Sequence, residues 1–330
     1  MAFADIKEQD HIVRYLKNIL RKDRIPPMLL LSGRKGTGRF LAATMFAKAL
    51  NCANSIGDCC DKCKSCVAIE HNVHPNVVVI GRDMDVVSIK DTRNMINASF
   101  VPANNGYRVN IIDNSDKSTP EAFSSMLKYL EEPPERTVNI LIAEMTELLP
   151  ETIRSRAVEL KFRPISAAFI QEAVKKTGLS DEDAEIVSKM ANGSMEKIEL
   201  FSSKDFLKKR KIFIEYLLRF FLDEVIVSKL LEEWNKFLSG NSSTKNAKEF
   251  FDIFSTLLQD ILFVSVLHDT EHITNVDALG FIADKFVFVD RSKLHKMYNV
   301  VLEKKQALLT SAIQQYILLD GLFKIKEAIK

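Results

Sequence analysis

Met28-Leu29-Leu30-Leu31-Ser32 runs directly into Gly33-Arg34-Lys35-Gly36-Thr37-Gly38-Arg39-Phe40. A short apolar run ending at a glycine is the signature of a buried strand. The glycines then mark a turn with backbone angles closed to most other residues. Phe40, Ala43, Ala47 and Leu50 follow at helical spacing. Strand, glycine turn and helix together form the setting of a phosphate-binding loop, G-x-x-x-x-G-K-[ST]. Gly33, Gly36, Gly38 and Arg39 are therefore the candidate anion-holding positions. The two side chains that carry the chemistry of such a loop differ here. Arg39 replaces the lysine that reaches the phosphates, and Phe40 replaces the hydroxyl that ligates magnesium. Backbone N–H groups at a helix start can still hold an anion. The turn nonetheless reads as a degenerate loop, kept for its geometry and not for nucleotide chemistry.

Outward from this stretch, Asn76 to Ile80, Arg108 to Asp113 and Val138 to Ala143 are further short runs of buried-strand type. Glu121 to Leu130 reads as a helix, stopped by Pro133 and Pro134. Alternation of this kind predicts an α/β core, a parallel sheet with flanking helices. All 9 prolines lie at or before Pro164, which marks a change of architecture. Beyond it the spacing is helical throughout, with helices expected at 166–176, 181–191, 194–202, 205–222, 224–238, 245–267, 275–286 and, with a break, 290–329. Leu238 to Thr244 reads as a polar loop.

With 330 residues, two or three domains are expected. A hydrophobic fraction of 46% and a net charge of +2 fit a globular protein and neither require nor exclude nucleic acid. The start, MAFADIKEQD, lacks a secretory pattern, and no apolar run nears the roughly 20 residues of a membrane helix. A cytoplasmic location, with no membrane partner, is expected.

All 5 cysteines fall between Cys52 and Cys66. Reduced cytosolic thiols clustered this densely point to metal before disulfide. Cys60, Cys63 and Cys66 share an x-x spacing, and Cys52 lies upstream. Four thiolates satisfy a closed, structural zinc site. Cys59 could replace Cys60, but the regular spacing favours Cys60. His71 and His74 are conceivable ligands that four thiolates make unnecessary.

Ile111-Ile112-Asp113-Asn114 ends a strand where a nucleotide site needs two acidic groups. One holds the magnesium shell and the next polarises the attacking water. Asp113 could do the first, but Asn114 cannot act as a base. Ser155-Arg156 is placed just past a strand end, where an isolated arginine would ordinarily be a solvated charge.

These motifs, in this order, resemble the bacterial clamp loader family, well over residues 1 to about 204 and loosely beyond. The marks are Gln9, the degenerate loop at 33–40, the cysteine cluster, His74-Pro75 and Pro102 to Gly106. They continue with Met126-Leu127-Lys128-Tyr129-Leu130-Glu131-Glu132-Pro133-Pro134 and Ser155-Arg156, where the third residue of the family's Ser-Arg-Cys motif is Ala157. The resemblance implies an AAA+ core at 1–164 with a zinc module at 52–66, a helical lid at 165–204 and an all-α collar at 205–330. It further implies a branch without ATPase chemistry. Arg39, Phe40 and Asn114 replace the active groups, Ala143 falls near a polar sensor position, and Glu196 in Gly193-Ser194-Met195-Glu196 stands where the ATPase has arginine. The implied role is a non-hydrolysing stator in a pentameric ring with delta and tau or gamma subunits. That ring of the DNA polymerase III holoenzyme loads the sliding clamp onto primed DNA in replication. Arg156, with Ser155, would serve a neighbour's ATP site in trans. The alternatives are an active tau- or gamma-type ATPase, which ATP turnover by the chain alone would favour, and a zinc-dependent nucleic-acid-binding protein, which salt-sensitive DNA binding would favour.

Overall fold

The computed structural model describes residues 3–55, 57–84, 86–99, 106–237, 243–286, 290–308 and 314–329. Positions 102–105 of the Pro102 to Gly106 mark, 238–242 of the expected polar loop and the expected break near 309–313 lie outside the described residues.

The chain divides into two compact units, one made of Met1–Ser166 with Gly193–Glu196, the other of Ala167–Asn192 with Lys197–Lys330. The first holds five parallel strands: β1 (Met28–Ser32), β2 (Val77–Ile80), β3 (Arg108–Ile112), β4 (Thr137–Ala143) and β5 (Val158–Lys161), in the order β2-β3-β4-β1-β5. Its helices are α1 (Asp10–Arg21), α2 (Arg39–Asn51), α3 (Lys64–Glu70), α4 (Ile89–Ser99), α5 (Pro120–Glu131) and the single turn α6 (Glu151–Arg154). Every residue of β1, β3 and β4 is buried. That is the mark of a parallel sheet covered on both faces.

Side-chain alternation sorts the strands into two cores. Leu29, Leu31, Val109, Ile111, Ile140 and Ile142 join the α1–α2 side. Met28, Leu30, Ile112, Leu141 and Ala143 join the α5 side. β1 is an interior strand, pairing with β4 on one side and the edge strand β5 on the other. Ser32 is in register with Ala143 and Lys161, so the glycine turn leaves the sheet at the strands' carboxyl ends. Ligands gather at that edge of open α/β sheets. Gln9 is fully buried and grips the main chain of Arg163 twice, donating to its carbonyl at 2.7 Å and accepting its N–H at 3.0 Å.

The second unit is helical. It comprises α7 (Ala167–Lys175), α8 (Asp181–Ala191), α9 (Glu196–Phe201, whose first residue groups with the first unit), α10 (Lys204–Phe221), α11 (Val227–Phe237), α12 (Ser243–Leu262), α13 (Leu279–Lys285), α14 (Arg291–Ala307) and α15 (Gln314–Ile329). A π-helical turn, Phe263–Leu267, extends α12. Phe213 meets Trp234 at 5.3 Å, and Phe221 meets Phe254 at 5.5 Å. Among the described residues no helix is long and apolar enough to cross a membrane.

Candidate functional site

Gly33, Gly36 and Gly38 all take positive φ, at 131°, 81° and 93°. A Cβ on Gly33 would come within 2.6 Å of the Phe162 carbonyl oxygen, and one on Gly36 would fall on the Ser194 hydroxyl. The turn is thus closed against two backbone segments, and Met195 N–H donates to the Gly36 carbonyl at 2.9 Å. Gly38 caps α2, and Thr37 donates its hydroxyl to the Arg34 carbonyl at 2.8 Å.

A cavity of about 660 Å³ opens beside this turn. Arg39, on its wall, is only 7% exposed, and its Nη1 has no hydrogen-bond partner among the described residues. Burial holds its guanidinium below the ordinary arginine range, while the carboxylates of Glu144, Asp113, Asp116 and Glu196 pull it back. Asp113 is half-buried, and its partial loss of solvent raises its carboxyl above the usual range against the opposing Asn114 N–H and Arg39. Phe40 lies under the Arg82 guanidinium, 3.6 Å from ring centroid to carbon. An aromatic face and a cation therefore stand where a magnesium ligand would. Asn114 sits in the left-handed region at φ 49°, which asparagine tolerates better than most residues. Its amide donates to the Gly81 carbonyl at 3.0 Å, so it shapes a turn. Glu196 pairs with Lys35 at 3.0 Å, both largely exposed. Ala143 is the last residue of β4 and wholly buried, so Glu144 is the first polar group past that strand. The sequence signalled Arg39, Phe40, Asn114 and Glu196. It gave no sign of Arg82, which comes from the loop after β2 and meets Phe40 only in the fold.

The cysteines converge at the far end of α2. Cys52 ends α2 in an extended conformation, Cys63 caps α3, and Cys66 lies in the first turn of α3. The sulfurs of Cys52, Cys60, Cys63 and Cys66 all lie within 4.8 Å of one another. Metal–thiolate bonds of about 2.3 Å give a tetrahedron with edges of about 3.8 Å, so the set can hold a metal ion. N–H groups of Lys62 and Cys63 lower the Cys60 thiol to about 6, favouring the thiolate that binds metal. Cys59 points elsewhere. It is buried 3.9 Å from the Met45 sulfur, and burial pushes its thiol up to about 11. His74 accepts a bond from the Asn76 N–H, and neither it nor His71 joins the cluster. Lys48, buried in α2, is bonded to Asp61, between Cys60 and Cys63, at 2.7 Å and to Glu70, past Cys66. Lysine spacing alone did not reveal that clamp.

Contrary to expectation, Arg156 does not follow a strand end. It lies between α6 and β5, because Glu151–Arg154 form a helical turn after Pro150. Its Nη1 donates to the Thr152 carbonyl at 3.0 Å, and its Nη2 lies 3.6 Å from the Glu131 carboxylate, with half the side chain exposed. Ser155 caps α6, and its hydroxyl donates to the Thr152 carbonyl at 3.3 Å.

Residues 8–166 match the family model described as DNA polymerase III, delta subunit, and residues 204–327 match the one described as DNA polymerase III, delta subunit, C terminal. The chain is 31% identical over 205 residues to DNA polymerase III subunit delta' of Bacillus subtilis, covering 61% of this chain and 62% of that protein. It is 32% identical over 202 residues to subunit tau of the same organism, covering 58% of this chain and 36% of that protein. The match therefore spans less than two thirds of either relative. Among solved structures, a DNA polymerase III gamma subunit-related protein from Thermotoga maritima aligns at 15% identity and a TM-score of 0.48, over 96% of this chain and 99% of that one.

Proposed function

We propose, from the premise that this chain belongs to the delta-prime subunit family of DNA polymerase III, that it is a non-hydrolysing stator of the clamp loader. One observation carries the reading: the cavity beside the glycine turn keeps its backbone frame while its own side chains replace each reacting group. Hydrolysis needs a phosphate-binding lysine, a hydroxyl on magnesium and a base for water. Arg39, Phe40 under Arg82, and Asn114 bonded to Gly81 stand in those places.

The core at 1–164 would carry the interface groups, with a lid at 165–204 and a collar at 205–330 joining delta and tau or gamma subunits in a ring. The ring would act on the sliding clamp and primer-template DNA. Arg156, oriented by the turn that Ser155 caps, would reach the ATP site of the adjacent subunit and stabilise charge in its transition state. Zinc, when bound, would supply a closed four-thiolate cross-link at Cys52, Cys60, Cys63 and Cys66. Its role there is structural, because no coordination position is left for substrate.

The test has two arms. The isolated chain should show no magnesium-dependent ATP turnover, and Arg39→Lys alone should not create it. In a reconstituted loader, Arg156→Ala should lower DNA-stimulated ATPase without altering ring composition. A finger is worth on the order of 10³-fold or more at its own site; the ring's other sites dilute that loss. ATPase activity that follows the isolated chain through successive columns would instead favour the tau- or gamma-type reading.

A further inference from the structure

We infer that Glu131 is a positioning residue for Arg156: it orients the guanidinium that the proposed function sends to the neighbouring subunit's nucleotide. The inference rests on that reading of Arg156. It also gives a task to Glu131 in the Leu130-Glu131-Glu132-Pro133-Pro134 stretch, in which Leu130 packs into the core and the prolines end a helix.

Glu131 is the last residue of α5, and Glu132 caps it before the two prolines end it. A carboxylate is disfavoured at a helix C-terminus, where the carbonyl ends of the peptide dipoles already gather negative charge. Its cost is offset by a cation at hand, and Arg156 is that cation, 3.6 Å away. The arginine is held at two points. Nη2 faces Glu131, and Nη1 donates to the Thr152 carbonyl at 3.0 Å. A guanidinium carries five N–H donors in a rigid plane. Two points of attachment fix that plane and leave the remaining donors for phosphate oxygens. Arg156 is 51% exposed, so part of its side chain stays open to solvent.

Arginine has large rotamer freedom, and a fork held in place loses less of it on meeting a phosphate. The first proline fixes φ and the pair prevents α5 from running on. The carboxylate thereby stays at the height of the loop between α6 and β5. Glu132 has no such contact with Arg156 among the described residues, so the two glutamates are not equivalent.

The experiment is a mutant cycle in the reconstituted loader, read as DNA-stimulated ATPase against ATP concentration. The chains are native, Glu131→Ala, Glu131→Gln, Arg156→Ala and the Glu131→Ala/Arg156→Ala double variant. Half-exposed ion pairs are weak, so Glu131→Ala should lower turnover at the site Arg156 serves about two- to fivefold, read as a smaller fall in the ring's kcat with KM nearly unchanged. Glu131→Gln, which keeps an acceptor oxygen, should recover part of the rate. In the Arg156→Ala background, removing Glu131 should cost nothing more, which a merely structural role would not predict. Zinc content, melting temperature and ring composition should match the native chain throughout. Glu131→Ala at the native rate, or faster, overturns the inference, as does an equal loss with Arg156 absent. Arg156→Ala at the native rate would instead overturn the finger itself, so the two failures are distinct.

Discussion

Lys48 should decide how firmly the cysteine module is joined to the core, and Lys48→Met isolates its charge at nearly constant volume. The lysine is 2% exposed, and its ammonium meets Asp61 at 2.7 Å and also Glu70. Breaking a buried ion pair by removing one partner costs about 3–5 kcal/mol. Here the carboxylates are 26% and 37% exposed, so water can take back much of their charge. Discounting for that screening leaves about 2 kcal/mol. That is about a 30-fold rise in the local opening equilibrium, because 1.4 kcal/mol is tenfold. Hydrogen exchange across 39–51 and 57–70 should accelerate by that factor. Trp234, the single tryptophan, is buried in the other unit and provides the control. Burial alone would lower the Lys48 ammonium, but its bonds to Asp61 and Glu70 outweigh it and raise the group above its ordinary value. A raised pKa contributes stability that is complete below the ordinary lysine range and lost as pH climbs through the folded value. The gap between Lys48→Met and native should therefore close in strong alkali. Unchanged exchange at neutral pH would refute the clamp, and a gap that widened in alkali would refute the sign.

Metal analysis of protein purified without chelator should give one zinc per chain, retained in Cys59→Ser and lost or weakened in Cys60→Ser; the reverse pattern would reassign the fourth ligand. In the helical unit, Arg210 is 1% exposed, paired with Asp277 at 3.0 Å and bonded to Asn275. Arg210→Met leaves Asp277 buried without its cation and should cost about 3–5 kcal/mol, read as a lower urea midpoint of Trp234 fluorescence. An unmoved midpoint would show that Asp277 finds water.

Much of the first unit was legible because a parallel sheet writes itself as short apolar runs. Met28–Ser32, Arg108–Ile112 and Thr137–Ala143 came out within a residue of expectation. β5 was not legible: its Val158-Glu159-Leu160-Lys161 alternates like an exposed edge and carries no glycine punctuation. Without β5, the helical turn at Glu151–Arg154 was also missed, and Arg156 was placed after the wrong kind of element. The helices α1, α3 and α4 were not legible either. The cysteine ligands were readable from spacing, since tetrahedral thiolate sites constrain sequence closely. Lys48, Arg82 and Glu131 were not readable, because each acts on a partner at least 13 positions away.

The contacts made by Arg82, Asn114 and Met195 account for how the glycine turn keeps its frame. An active loop must leave room for phosphate and metal, so its walls are unsatisfied until ligand arrives. Here Arg82 covers Phe40, Asn114 satisfies the Gly81 carbonyl, and Met195 bonds Gly36. At this turn, among the described residues, Arg39 keeps a buried donor without a hydrogen-bond partner, amid four carboxylates that favour its charge. Placing Lys, Thr and Glu at 39, 40 and 114 together would remove the Phe40–Arg82 and Asn114–Gly81 contacts before providing new ones. Glutamate at 114 would also have to hold a left-handed backbone, which strains a residue of its size by about 1 kcal/mol or more. The triple variant should therefore be less stable than native by thermal unfolding without nucleotide, and magnesium-ATP should recover part of the loss if the restored groups engage it. A triple variant as stable as native, and unmoved by magnesium-ATP, would show that the internal contacts at this turn contribute nothing to the fold.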